Sequence, residues 1–209
     1  MNPQYKINLT KTFNKAFSAY DRNVRDQLRG ILSNASFREM FTKRVIDRIV
    51  ERTSESGVDR NGKKFAPYSK SYMQSDVFKI YSKSSKVNLE LTGEMLSSMR
   101  GLDKAQSIII QMVDQENKAK ASGHVYGIRK KGGGKVIRDF LGLPQDEESK
   151  LFEETLLEFQ DENFSTAVEL FRGQDAVTTQ GQVGNQPAFN VNLSMQDILS
   201  GIERNLADE

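Results

Sequence analysis

Ser107-Ile108-Ile109-Ile110-Gln111-Met112-Val113 is the stretch on which the fold turns, because its β-branched and apolar residues predict a strand. Upstream, Val87, Leu89 and Leu91 alternate with Asn88 and Glu90, which predicts a second short strand. Thr92 then stands where it can cap a helix running through Leu96 and Met99, with Glu94 in the first turn favoured by the helix dipole. Downstream, residues 124–129 and 135–140 read as two arms of a hairpin joined by Lys130-Lys131-Gly132-Gly133-Gly134. The middle of the chain, residues 87–142, is therefore expected to be β-rich.

Both flanks read as helix. Phe13, Phe17, Tyr20, Val24, Leu28 and Ile31 recur every three or four residues, and Gly30 and Asn34 loosen the pattern. Ser36 and Glu39 form a capping-box pair ahead of Phe37, Met40, Phe41, Val45, Ile46, Ile49 and Val50. Residues 9–54 are thus expected to form two long helices or one kinked helix. Arg22, Arg25, Arg29, Arg38, Lys43, Arg44, Arg48 and Arg52 line the polar side, as a solvated face or as a face for nucleic acid. Pro144 suits a first helical turn, followed by Asp146, Glu147 and Glu148, so 144–160 is expected to be a helix that buries Leu151, Phe152, Leu156, Leu157 and Phe159. Its carboxylates read as a solvated acidic face or a subunit interface.

Residues 172–193, rich in Gly, Gln, Asn and Thr, read as a linker or extended arm. Beyond it Ser194 and Asp197 offer a cap, and Met195, Ile198, Leu199, Ile202 and Leu206 repeat at helical spacing over 194–206. So short a stripe cannot bury itself and has to dock on its own domain or on another chain. The expected architecture is α+β: a small antiparallel sheet flanked by N-terminal helices and an acidic helix over residues 1–171, then a flexible arm over 172–209.

A length of 209 residues with 37% hydrophobic and 28% charged residues suits one ordinary domain or two small ones, with enough core to need neither metal nor disulfide. With no cysteine, the chain has no disulfide, thiolate zinc site, iron–sulfur cluster or thiol nucleophile. No apolar run approaches membrane-spanning length and no apolar signal core follows the start, so a soluble protein made in the cytoplasm, with no membrane partner, is expected. The net charge of +2 conceals an asymmetry: 15 basic against 7 acidic residues in 1–70, 12 against 7 in 71–143, and 3 against 14 in 144–209, or +8, +5 and −11. Such a division fits nucleic-acid contact or charge-matched association between subunits.

Asn61-Gly62 marks a tight turn in the polar stretch 55–86, where Phe65, Tyr68, Tyr72, Phe78 and Tyr81 alternate with lysines. These rings either stack on bases while the lysines meet phosphates, or anchor the loop to its own core or to a neighbouring subunit. Phe65, Tyr68, Tyr72, Ile198, Leu199 and Ile202 are accordingly candidate inter-subunit contacts. Gly132-Gly133-Gly134-Lys135 leads into a strand, unlike a phosphate-cradling loop, which opens a helix. Arg129, Lys130, Lys131 and Lys135 remain as candidate sequence-independent contacts to DNA or to a ring lumen. No metal or cofactor is expected, since the acidic residues lack calcium-loop or zincin spacing. His124 lacks a serine elbow and reads as structural; a hydrolase using Glu153, Glu154 or His124 is the weakest reading.

Asp59-Arg60-Asn61-Gly62-Lys63-Lys64-Phe65-Ala66-Pro67-Tyr68-Ser69-Lys70-Ser71-Tyr72, then Leu89-Glu90-Leu91-Thr92-Gly93-Glu94-Met95-Leu96-Ser97-Ser98-Met99, then Ala121-Ser122-Gly123-His124-Val125-Tyr126-Gly127 and Arg138-Asp139-Phe140-Leu141-Gly142-Leu143, occur in that order. The series resembles tailed-bacteriophage tail-completion and neck proteins, the virion morphogenesis family, over about residues 35–160. The resemblance implies an α+β fold, assembly into a ring at the head–tail junction beside connector and tail proteins, a place in the virion, and no enzymatic activity. The basic helical region before residue 35 and the arm after residue 171 depart from the family pattern. A nucleic-acid-binding protein using the basic helices and the aromatic–lysine loop is the alternative.

Overall fold

A three-stranded antiparallel sheet in the order β1 (Gln4–Asn8), β3 (Ser107–Met112), β2 (Met99–Lys104) forms the centre of the molecule, as seen in a computed structural model. It describes residues 2–81, 87, 89, 93–129 and 134–174, with the side chains at 128, 129 and 162–174 left aside. The alternating register puts Tyr5, Ile7, Ile108, Ile110, Met112 and Met99 on one face, where all but the half-buried Tyr5 are buried. Lys6, Arg100, Leu102 and Gln111 occupy the opposite face, and Leu102 is exposed.

The expected strand at 107–113 is present, and the chain is a mixed helix-and-sheet α+β fold. β1 was not expected, the expected helices beginning at residue 9: Tyr5 and Ile7 point inward while Gln4, Lys6 and Asn8 point out. Asn8 ends the strand and its side chain accepts from Lys11 N, capping α1 (Leu9–Ala16). The expected long first helix is broken after Phe17. Asp21 caps a separate α2 (Arg22–Leu28), which tightens into a 3-10 turn over Arg29–Ser33. Asn34, not Ser36, caps α3 (Ala35–Glu51), its side chain accepting from Phe37 N at 3.1 Å. α3 lies across the sheet, and Phe37, Phe41, Val45 and Ile49 are its buried face.

Several expectations for the middle of the chain are corrected. Val87 and Leu89 are buried but belong to no strand, and Leu89 has a φ of 56°, a left-handed conformation that a strand cannot contain; Leu91 and Thr92 lie outside the described residues. The helix that follows, α6 (Glu94–Ser97), comes after the short α4 (Lys70–Met73) and α5 (Asp76–Tyr81) and starts from Gly93 at a φ of 73°. Met99 begins β2 instead of continuing that helix. His124 lies not on a hairpin arm but in α7 (Gln115–Tyr126), because Asp114 accepts from Asn117 N at 2.8 Å and nucleates a helix through Ala- and Lys-rich sequence. The hairpin itself is shorter, Ile128–Arg129 (β4) against Lys135–Val136 (β5).

The acidic helix α8 runs Gln145–Gln174, well past residue 160 and into the expected arm, since no Gly or Pro interrupts its sequence before Gly173. Pro144 stands just before it, its carbonyl accepting from Glu148 N at 2.9 Å. α8 packs on α1 and α3 through Phe152, whose ring meets Phe13 at 6.4 Å, Phe37 at 5.3 Å and Phe41 at 4.9 Å in edge-on geometry. None of the helices of the described residues is long and apolar enough to cross a membrane.

The same packing divides the charges. Arg22, Arg29 and Lys43 are exposed, as read for a solvated face, while other basic side chains of the N-terminal helices meet carboxylates within the chain. Lys15 pairs with Asp146, Arg44 with Glu158, and Arg48 with both Glu147 at 2.6 Å and Glu51 at 3.0 Å. Arg38 is buried and binds Asp103 and the carbonyls of Lys104 and, at 3.1 Å, Ala105, tying the start of α3 to the β2–β3 turn. Part of the opposition between the basic and acidic portions therefore holds α8 to the N-terminal helices.

Candidate functional site

Asp59 organises the loop after α3. Its side chain accepts from Asn61 N at 2.8 Å and Lys63 N at 2.9 Å, its own N–H donates to Lys63 O, and Gly62 takes a φ of 79°. The expected Asn61-Gly62 turn is thus present, closed by a bridge between Val58 and Lys64. Gly57, at a φ of 64°, ends the helical run and accepts Phe65 N, which turns Phe65 into the core at 8% exposure.

Segment 138–142 docks on this loop. Arg60 N donates to Asp139 O at 2.9 Å and its guanidinium lies 3.1 Å from the Asp139 carboxylate; Arg52, from the end of the α3 run, donates to Phe140 O and Gly142 O, both at 2.8 Å. Arg138, 5% exposed, donates to Ala66 O at 3.0 Å and stacks over the Tyr68 ring at 5.4 Å. Its backbone N–H donates to His124 O at 2.8 Å. Among the described residues no carboxylate pairs with Arg138. His124 is largely buried beside it, with no hydrogen bond at Nδ1, and burial together with the Arg138 charge pushes its pKa down to about 4. The imidazole is therefore neutral at pH 7.

Tyr68, Tyr72 and Phe78 complete the junction as a triangle of rings with centroids 5.2, 5.5 and 5.4 Å apart. Phe78 is the one residue of α5 that is half-buried, and its neighbours Val77, Ile80 and Tyr81 stand 52%, 71% and 53% exposed. Single exposed apolar residues are ordinary, but three on one six-residue helix are a patch. Lys79 of the same helix is exposed, as are Lys63, Lys64 and Lys70 earlier in the chain.

Of the residues singled out in the sequence, Phe65 belongs to the chain's own core, while Tyr68 and Tyr72 are half-buried and pack on each other and on Phe78. Their faces are engaged by neighbouring rings and, at Tyr68, by Arg138. Arg129 is the register partner of Lys135 in the β4–β5 pair, and Lys135 is exposed; Lys130 and Lys131, with Ile198, Leu199 and Ile202, lie outside the described residues. His124 and Glu153 stand on different helices, and Glu153 accepts from Tyr20 OH at 2.7 Å. No three His, Asp or Glu residues among those described are grouped to hold a metal.

Sequence reasoning missed the organising role of Arg138 and the buried Glu148, which accepts from Tyr5 OH and Thr12 Oγ1. Burial and the facing carboxylate push the Tyr5 hydroxyl well above its ordinary pKa. Three of the four quoted segments meet at Arg138, and the fourth contributes Leu89, Met95, Leu96 and Met99 to the core below. Compared with known proteins, the chain matches no family model, no curated protein and no solved structure.

Proposed function

We propose that the chain is a non-enzymatic joining subunit of a tailed-bacteriophage virion, assembling as a ring at the head–tail junction and contacting the adjacent connector and tail proteins. The observation that carries the reading is the meeting of segments 59–72, 121–127 and 138–143 around Arg138. These are the segments whose order resembles tail-completion and neck proteins, and their Tyr68 and Tyr72 pack on Phe78 of α5, whose Val77, Ile80 and Tyr81 are turned outward. A ring subunit needs such a surface, since a heterologous contact repeated around an axis closes a ring. DNA passing through the lumen would meet Lys135 and its neighbours without regard to sequence.

Mass measurement of the purified protein across a concentration series, with electron microscopy of the same sample and of virions, tests the reading. A closed oligomer present in particles is the expected result. A chain that stays monomeric at every concentration and is missing from particles overturns it.

A further inference from the structure

The cations of the long helix and those of the sheet differ in their partners. Arg38, Arg44 and Arg48 of α3 meet carboxylates of the chain itself, whereas among the described residues no carboxylate pairs with Lys6, Arg100 or Lys104. The register places these three on the outer face of the sheet: Lys6 of β1 lies in the row of Ile109 and Leu102, and Arg100 and Lys104 of β2 stand one same-face row to either side. All three are exposed. With strands about 4.8 Å apart and a rise of about 3.4 Å per residue, their Cα atoms form a triangle with sides of about 12–14 Å. Asp103, the one carboxylate of the three strands, belongs to the other face and holds Arg38. Gln111 adds donors on the central strand: its carboxamide oxygen accepts from Gln4 Nε2 at 2.8 Å, which leaves its amide N–H groups to donate to an external acceptor.

We infer that the outer face of the sheet binds the phosphate backbone of double-stranded DNA, without regard to sequence, through Lys6, Arg100, Lys104 and the Gln111 amide. Cations with no carboxylate interleaved complement a polyanion, and amide donors suit phosphate and sugar oxygens. Among the strand residues no aromatic ring stands on this face to stack on an unpaired base, so a duplex suits it better than a single strand. Leu102 and the half-buried Ile109 make too small an apolar area to drive docking of a second copy. The carboxylates that α8 of such a copy could offer are in part taken, Asp146 by Lys15 and Glu158 by Arg44. The inference does not rest on the ring reading: a monomer presents the same face, so a DNA titration can fail while the mass measurement succeeds, or the reverse.

Fluorescence anisotropy of the full chain with a labelled mixed-sequence duplex of about 20 base pairs, at several salt concentrations, tests the inference. The expected result is binding at low salt that Lys6→Glu with Arg100→Glu and Lys104→Glu weakens at least about tenfold, while the slope of log affinity against log salt falls by roughly 2–3. A control triple, Lys63→Glu with Lys70→Glu and Lys79→Glu, changes the net charge equally and should weaken binding less than about threefold. Arg100 also donates to Ser97 O at 2.8 Å and Met99 O at 2.7 Å, so Lys6→Glu with Lys104→Glu, which spares those contacts, is measured as well. It should weaken binding at least about fivefold. No complex at low salt overturns the inference, as do equal losses in the two triple variants. A duplex affinity that the sheet-face variants leave unchanged overturns it too, and assigns the face to a second copy if those variants abolish self-association.

Discussion

Gly101 of β2 lies directly beneath Thr42 of α3, with no room between them for a methyl group: a Cβ at position 101 would collide with Thr42 Cγ2. The threonine has little freedom to yield, since its β-branched side chain is stiff and its hydroxyl donates to Arg38 O at 2.6 Å. Glycine at 101 therefore sets how closely the helix approaches the sheet. Gly101→Ala should destabilise the protein by about 1–3 kcal/mol, and adding Thr42→Ala should recover most of the loss. Urea denaturation of the two single variants and the double variant checks this; additive losses would mean that the two positions do not touch.

Arg38 ties the same helix to the turn after β2. Arg38→Met leaves the turn carbonyls without their donor and should cost about 1–3 kcal/mol, the range for leaving buried acceptors unsatisfied. Asp103 is half open to water, so Asp103→Asn should cost less than about 1 kcal/mol. The ratio of the two losses in chemical denaturation is the readout.

Pairs between α8 and the N-terminal helices lie at or near the surface, and salt screens such pairs. Arg48→Glu should lower stability by roughly 1 kcal/mol at low salt, and Arg48→Glu with Glu147→Arg should restore part of it. The difference between single and double variants should shrink at 1 M sodium chloride. Thermal denaturation at two salt concentrations measures it.

His124 gives a pH dependence of definite sign. Its folded pKa of about 4 lies below the usual 6.5, so between those values the unfolded chain binds more protons than the folded one. The stability associated with the neutral ring is present above pH 6.5 and is lost as pH falls through 4, by a total on the order of 3 kcal/mol. His124→Asn should flatten the stability profile between pH 6.5 and 4.5; an unchanged slope would show that the carboxylates alone set it.

How much of this was legible in the sequence depended on whether a signal was local. β3 could be read because its apolar residues announce a strand without reference to partners, and the Asn61-Gly62 turn because backbone conformation there is set by the two residues themselves. β1 and β2 could not. β1 is only five residues long, and β2 is polar, with its glycine chosen by a helix about sixty residues away in sequence. Asp114 as a cap was visible in principle and would have placed His124 in a helix. The site was half legible: aromatic and basic residues in 63–81 were identified, but that the rings would close on one another under Arg138 depends on a contact with a segment more than fifty residues further on.

The pairing of β1 with β3, and of Tyr5 with Glu148, joins residues that leave the ribosome about a hundred or more positions apart. At about 5–20 residues per second, a ribosome needs roughly 7–28 s to pass from Phe13 to Phe152. Through that interval Phe13, Phe37 and Phe41 have no ring of α8 to cover them, and the first strand has no neighbour. The nascent segment from β1 to α3 is thus the part most exposed to mispairing and most in need of chaperone shelter, and slowing translation before codon 107 should lower the yield of folded protein more than the same pause placed after codon 160.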